Sequence, residues 1–155
     1  MLLLRHASAG ERLSSPAIDR FRQLDHAGKA DARQLIWTLG AREIARVVSS
    51  PLARCVETVI PIAESRRLIV EQRTELSPEA ELESTLELLV LLPDETLVCT
   101  HREVILRLFE GGVTCEEGGA WALERVGPLL SPTEYIAPPR AVPDAFPRTV
   151  LSRAR

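Results

Sequence analysis

Three short apolar runs, each leading straight into an arginine or a histidine, constrain this chain more than any other feature. Met1 to Leu4 runs into Arg5-His6, Ile44 to Val48 runs into Ser49-Ser50-Pro51-Leu52-Ala53-Arg54, and Leu97 to Thr100 runs into His101. Apolar runs of this length, bounded by polar residues, read as buried strands. Open α/β sheets keep their ligand sites beyond the C-terminal ends of their strands. The pattern therefore sets Arg5, His6, Arg54 and His101 at one sheet edge, as an anion site with a nucleophile in it.

The segments between these runs supply the rest of an α/β fold. Ala32, Leu35, Ile36 and Leu39 recur at helical spacing ahead of Gly40 and predict a helix over 29–39. A second helix is expected over 52–63, with Ser50 as its cap and Pro51 in its first turn, Pro61 marking its doubtful end. A short strand at 68–70 and a helix over 79–91, with Leu82, Leu86 and Leu89 on its apolar face, precede the Thr96 to Thr100 strand. Another helix is expected over 102–109. Beyond Gly111-Gly112, 119–125 and 133–136 read as late strands joined by a hairpin near Gly127-Pro128. Residues 11–24 read as a loop with a short helical piece over the site, and His26 as a turn or helix-start residue. The expectation is one domain, 1–155: a three-layer α/β/α sandwich with a mostly parallel central sheet and an irregular C-terminal segment from about 138.

Composition narrows the function classes. With 155 residues, 45% apolar and 26% charged, the chain can bury roughly 68–70% of its unfolded surface without disulfide or metal staples. A net charge of -3 and the absence of alternating basic and aromatic residues argue against a nucleic-acid surface. Trp37 and Trp121 are expected to pack in the fold. Cys55, Cys99 and Cys115 are odd in number and unclustered, so they read as free thiols, Cys99 on a buried strand. The opening leucines are too short for a signal-peptide core and no run reaches membrane-spanning length, so a cytoplasmic protein without membrane contact is expected. No cofactor is called for. Histidines that come with arginines repel a cation, and metal-ligand spacing is absent. Nothing in the sequence specifies an oligomeric state.

The residue types fit phosphoryl chemistry. A guanidinium fork donates two parallel, charge-assisted hydrogen bonds, so Arg5 and Arg54 together can hold the oxygens of a phosphoryl group. His6, as a neutral imidazole, can attack phosphorus and form a phosphohistidine that water cleaves. His101 can donate to the phosphoryl oxygens beside it. Ser8 is near enough in sequence to line the pocket, and Arg12 can add positive field at its mouth.

In these blocks the chain resembles the histidine phosphatase superfamily, also called phosphoglycerate mutase-like. Leu3-Leu4-Arg5-His6-Ala7 is similar to the family's opening Arg-His-Gly block, 49–58 to its second arginine block, and Cys99-Thr100-His101 to its distal histidine. The resemblance implies His6 as nucleophile, Arg5 and Arg54 as phosphate ligands and His101 as the second pocket histidine. It also implies a carboxylic acid between the second block and His101, for which Glu75 is the first choice and Glu71 and Glu79 are competitors. Ala7 departs from the family's glycine, where a methyl group could crowd the pocket. The short length resembles the bacterial phosphohistidine phosphatases. The Val98 to His101 and Gly119 to Glu124 segments also resemble histidine-phosphatase domains fused to nucleotide-cleaving hydrolases, although no Nudix helix is present. The implied partner is a phosphorylated protein or a small phosphorylated molecule. A phosphohistidine protein comes first; a small-molecule or nucleotide phosphomonoesterase and a non-catalytic phosphate-binding domain are the alternatives.

Overall fold

The structure is a computed structural model that describes residues 1–139, so the expected irregular segment from 138 onward lies almost wholly outside the described residues. Six strands form one sheet: β1 (Leu2–Arg5), β2 (Arg46–Ser49), β3 (Val70–Gln72), β4 (Thr96–Thr100), β5 (Ala120–Val126) and β6 (Leu129–Ile136), in the order β3-β2-β4-β1-β5-β6. The first four run parallel, while β5 and β6 form the antiparallel edge expected from the late hairpin. Gly127 turns that hairpin with a φ of 62°, a left-handed conformation that costs glycine nothing.

Five α-helices accompany the sheet: α1 (Pro16–Asp19), α2 (His26–Thr38), α3 (Ala53–Ser65), α4 (Leu82–Leu91) and α5 (Arg102–Leu108). The period-two alternation of the strands divides the core between the two faces. Leu2 and Leu4 pack with Leu35, Val59 and Ile62 from α2 and α3, whereas Leu3 packs with Leu88, Leu89 and Ile105 from α4 and α5. Full burial of one such side chain contributes about 1.5–3 kcal/mol, so this alternation fixes the register of β1 against β4. The result is the three-layer α/β/α sandwich expected of the sequence.

Several local expectations change. Ser50 does not cap α3; Leu52 holds the N-cap position without a side-chain bond, and the Ser50 hydroxyl is drawn to His101 instead. The helix continues through Pro61, because burial of Val59, Ile62 and Ala63 outweighs the one amide bond that proline cannot make. In α4, which begins at Leu82, the buried face is Thr85, Leu88 and Leu89, and Leu82 and Leu86 are 38% and 40% exposed. The Thr85 hydroxyl donates to the Glu75 carbonyl at 2.6 Å, which fixes that rotation. Trp37 is 71% exposed and not packed, whereas Trp121 stacks near Tyr135, ring centroids 5.0 Å apart. The three cysteines are buried and free, Cys99 on β4 as expected.

The parallel register positions the site. Arg5 pairs with Thr100 and Ser49 with Cys99, so β1, β2 and β4 end level. The next residue of each strand is His6, Ser50 and His101. Backbone bonds continue the ladder into this edge, His6 N to Thr100 O at 3.1 Å and Ser50 N to Cys99 O at 2.9 Å.

Candidate active site

His6 and His101 face each other across the β1/β4 edge, ring centroids 5.3 Å apart and planes inclined by 63°. His6 Nδ1 lies 2.8 Å from the Ala7 carbonyl. A carbonyl only accepts, so Nδ1 carries the hydrogen and Nε2 keeps its lone pair. Burial pushes the His6 pKa from 6.5 down to about 4; the Ala7 bond opposes this, and Arg54, Arg5 and Arg22 reinforce it. The imidazole is therefore neutral at neutral pH, the state in which it is a nucleophile.

His101 is fully buried, and its Nε2 shares a 2.8 Å hydrogen bond with the Ser50 hydroxyl, with Cys55 Sγ 3.4 Å away. Burial first, then His6 and Arg54, lowers its pKa to about 2.

Arg54, 3% exposed, arises from the first turn of α3. Its Nη1 donates to the Asp19 carbonyl at 3.1 Å, and its Nη2 stands 3.6 Å from the Asp19 carboxylate. Arg5 donates through Nη1 to Cys115 O at 2.8 Å and through Nη2 to Glu117 at 3.3 Å, so its fork also secures the 115–117 segment. The buried Nε of each arginine has no hydrogen-bond partner among the described residues, so that donor on each guanidinium is uncommitted.

Thr58 connects the two halves of this arrangement. Its hydroxyl donates to the Arg54 carbonyl at 2.6 Å and accepts the Ala7 amide at 3.0 Å. Ala7 itself is fully buried and its φ is not in the left-handed region, so the position does not require glycine and the methyl group is accommodated.

The 11–24 segment, expected as a loop with a short helical piece over the site, carries α1 and covers Arg54 through Asp19. Arg22 donates to the carbonyls of Ala9 and Gly10 and pairs with Asp19 at 2.9 Å. Burial favours a neutral Asp19, but the Leu13 amide and Arg22 prevail and hold its carboxyl below the ordinary range. At the outer end Arg12 pairs with Glu103 of α5. A cavity of about 410 Å³ opens beneath this segment, walled by Arg12, Leu13, Asp19, Arg54, Glu79 and Glu103 among others.

Two expected site residues are engaged elsewhere. The Ser8 hydroxyl donates to Asp25 at 2.6 Å, which also accepts the amides of Gly10 and Gly28 and so caps α2; Ser8 is therefore a strut of the covering segment and not an anion ligand. Glu75 accepts from Arg73 at 2.6 Å, and that partner holds its carboxyl below the ordinary range. A carboxyl kept ionised is a poor acid, and Glu75 does not wall the cavity that Arg54 borders. Glu71 is likewise held by Arg46. Of the three candidate acids, Glu79 alone reaches that wall. Asp19, Arg22, Ser50, Thr58 and Glu103 join the site without having been expected there. Their sequence signals are the Asp19-x-x-Arg22 spacing, the place of Ser50 and Thr58 within the 49–58 block, and the position of Glu103 two residues after His101.

A family model described as histidine phosphatase superfamily (branch 1) matches residues 1–85. The chain belongs to the histidine phosphatase superfamily. Among curated proteins, an 8-oxo-(d)GTP phosphatase of Mycolicibacterium smegmatis is 27% identical over 157 residues, covering 90% of this chain and 48% of that protein. The chain thus spans about half the length of the curated relative it matches. Its fold is that of the protein histidine phosphatase SixA solved with tungstate, with TM-score 0.72 and 21% identity over 88% of this chain and 96% of the other. The putative phosphohistidine phosphatase SixA from Agrobacterium tumefaciens superimposes with TM-score 0.69 and 22% identity over 88% and 96%. Among the described residues no cluster of histidine, cysteine and acidic side chains could hold a metal ion, and no helix is long and apolar enough to cross a membrane.

Proposed function

We propose that this histidine phosphatase hydrolyses a phosphoryl group through a transient phosphohistidine at His6, without a metal ion. The observation that carries this reading is the His6 Nδ1 bond to the Ala7 carbonyl, which leaves Nε2 unprotonated beside His101 and the arginines. Nε2 attacks phosphorus as the leaving group departs, and water then attacks the phosphoryl-His6 and restores the imidazole. Arg54 and Arg5 neutralise the phosphoryl oxygens, in part through their uncommitted Nε donors, and His101 supplies a further donor as charge develops.

The first substrate class is a phosphohistidine-bearing protein, in keeping with the resemblance to the short bacterial phosphohistidine phosphatases. An imidazole leaving group departs with a proton demand far smaller than that of an alkoxide. Leu13, Ile18 and Phe21, which are 45%, 60% and 73% exposed, border the covering segment and offer a macromolecule apolar contact. A nucleotide or other small phosphomonoester is the second reading, favoured by the 410 Å³ cavity and by the likeness to the 8-oxo-(d)GTP phosphatase. The test is phosphate release by the purified protein from a phosphohistidine protein and from p-nitrophenyl phosphate, with and without EDTA. His6→Ala is expected to lower turnover at least about 10³-fold on both, and EDTA to change neither. Undiminished turnover by H6A would overturn the mechanism whatever the substrate.

A further inference from the structure

The covering segment creates a chemical difficulty that points to its own solution. His6 and His101 are 6% and 0% exposed, so a phosphoryl group cannot reach Nε2 until something above them gives way. Most ties of the segment are at least half-buried: Arg22 to the Ala9 carbonyl, Asp19 to Leu13 and Arg22, and Arg54 to the Asp19 carbonyl. The Arg12–Glu103 ion pair is an exposed one, with side chains 67% and 37% accessible. An exposed ion pair is the weakest kind of tie, and a dianionic phosphoryl group is a stronger partner for a guanidinium than one carboxylate.

Glu103 has what Glu75 lacks, and unlike Glu79 it follows closely on a site histidine. It borders the same cavity as Arg54, and it lies within electrostatic reach of both His6 and Arg54. Placed in the first turn of α5 directly after His101, it is held by the same strand end that positions the second histidine.

We propose that Glu103 is the proton donor and acceptor of the phosphoryl transfer at His6, and that Arg12 keeps it ionised until an incoming phosphoryl group draws the guanidinium away. The proposal rests on the phospho-His6 reading. As Arg12 turns to the phosphoryl oxygens, Glu103 loses its cation and gains a dianion as neighbour; both changes favour proton uptake. In the free enzyme burial already pushes the carboxyl up, and its own backbone amide and Arg12 hold it below the ordinary range. Attack by Nε2 forms the N–P bond and breaks the bond from phosphorus to the leaving atom, which takes the Glu103 proton. Water then attacks phosphorus, the N–P bond breaks, and the water proton returns to the Glu103 carboxylate. As inorganic phosphate leaves, Arg12 returns to Glu103, the carboxyl gives up to solvent the proton it took up on substrate arrival, and the enzyme ends as it began. Groups facing Glu103 that enter its titration are Arg12 from the covering segment, His6 from β1 and Arg54 from α3.

The test is the leaving-group dependence of Glu103→Gln, measured as kcat/KM on p-nitrophenyl phosphate and on an alkyl phosphate such as glycerol phosphate. A proton donor matters most when the leaving group is most basic. E103Q is expected to lose about 100-fold or more on the alkyl ester and under about tenfold on p-nitrophenyl phosphate. Arg12→Ala supplies the second readout: KM rises with the loss of a phosphate ligand, and the alkaline limb of kcat/KM moves to higher pH because Arg12 no longer holds the free carboxyl down. A loss in E103Q that is equal on both substrates, or an R12A limb that does not move, overturns the donor role. So does a wild-type enzyme that forms phospho-His6 from phosphoramidate yet hydrolyses no alkyl ester. Absence of any phospho-His6 from phosphoramidate would instead overturn the underlying mechanism, which separates the two failures.

Discussion

At the residue scale, the decisive feature is a pair of imidazoles whose burial forbids charge. His6 stays neutral until the pH approaches about 4, so the acid limb of kcat/KM is expected near that value and not near the 6.5 of a free histidine. The same shift has a thermodynamic consequence. Between pH 6.5 and about 4 the unfolded chain binds a proton that folded His6 refuses, so this contribution to stability is complete above 6.5 and is lost as the pH falls through the window. Thermal unfolding at stepped pH should show Tm declining over that range, and His6→Ala should flatten part of the decline. Thr58 offers a sharper test of geometry, because its one hydroxyl satisfies the Ala7 amide and reaches the Arg54 carbonyl. Thr58→Val keeps the shape but strands a buried N–H, at a cost of about 1–3 kcal/mol. Urea unfolding measures that loss, and a fall in kcat greater than any rise in KM would show that the nucleophile and the arginine lose alignment together.

At the element scale, the strand ends were legible and the side-chain partners were not. The apolar runs Leu2 to Leu4 and Leu97 to Cys99 are local properties that burial on two faces enforces, so the sequence by itself sets His6, His101 and Arg54 at one edge. The partners of Ser8, Ser50 and Glu75 are not legible in the sequence, because a hydroxyl or carboxyl takes whichever partner the fold brings within 3 Å. Asp25 captures Ser8, His101 captures Ser50 and Arg73 captures Glu75, from separations of 17, 51 and 2 residues. Nothing local connects Glu103 to Arg12 across 91 residues. The packing of α2 on the loop after β1 was equally invisible, although it holds that loop in place. A Cβ added at Gly28 would lie 1.9 Å from the Ser8 carbonyl oxygen, a backbone atom that cannot swing aside. Gly28→Ala is therefore expected to destabilise by about 1–3 kcal/mol and to depress turnover by shifting Ala7 and Ser8 away from His6. Chemical denaturation together with kcat measurement checks both; an unchanged midpoint would mean that α2 can retreat freely.

At the scale of the whole molecule, the arrangement can meet a phosphorylated protein or a small phosphorylated molecule. The chain spans about half of the 8-oxo-(d)GTP phosphatase it resembles, and its likeness to the SixA structures lies below 25% identity, so ancestry leaves the substrate to physics. Two physical facts bear on it. The histidines are buried under a segment that must open, and the apolar side chains along that segment, Ile18 and Phe21, stand mostly in solvent. A protein that presses on those side chains as it presents its phosphohistidine would bury them and displace the cover in one event, whereas a small ester must open the cover with its phosphoryl group alone. The expected order of kcat/KM is thus phosphohistidine protein above nucleotide and sugar phosphate by about tenfold or more, a difference of about 1.4 kcal/mol in transition-state stabilisation. Phe21→Ala separates the two routes, because it removes contact area that only a macromolecule uses. It should raise KM for the protein substrate and leave p-nitrophenyl phosphate unaffected. A nucleotide preferred over every phosphohistidine protein, with F21A silent on both, would move the assignment to the cavity and its small-molecule reading.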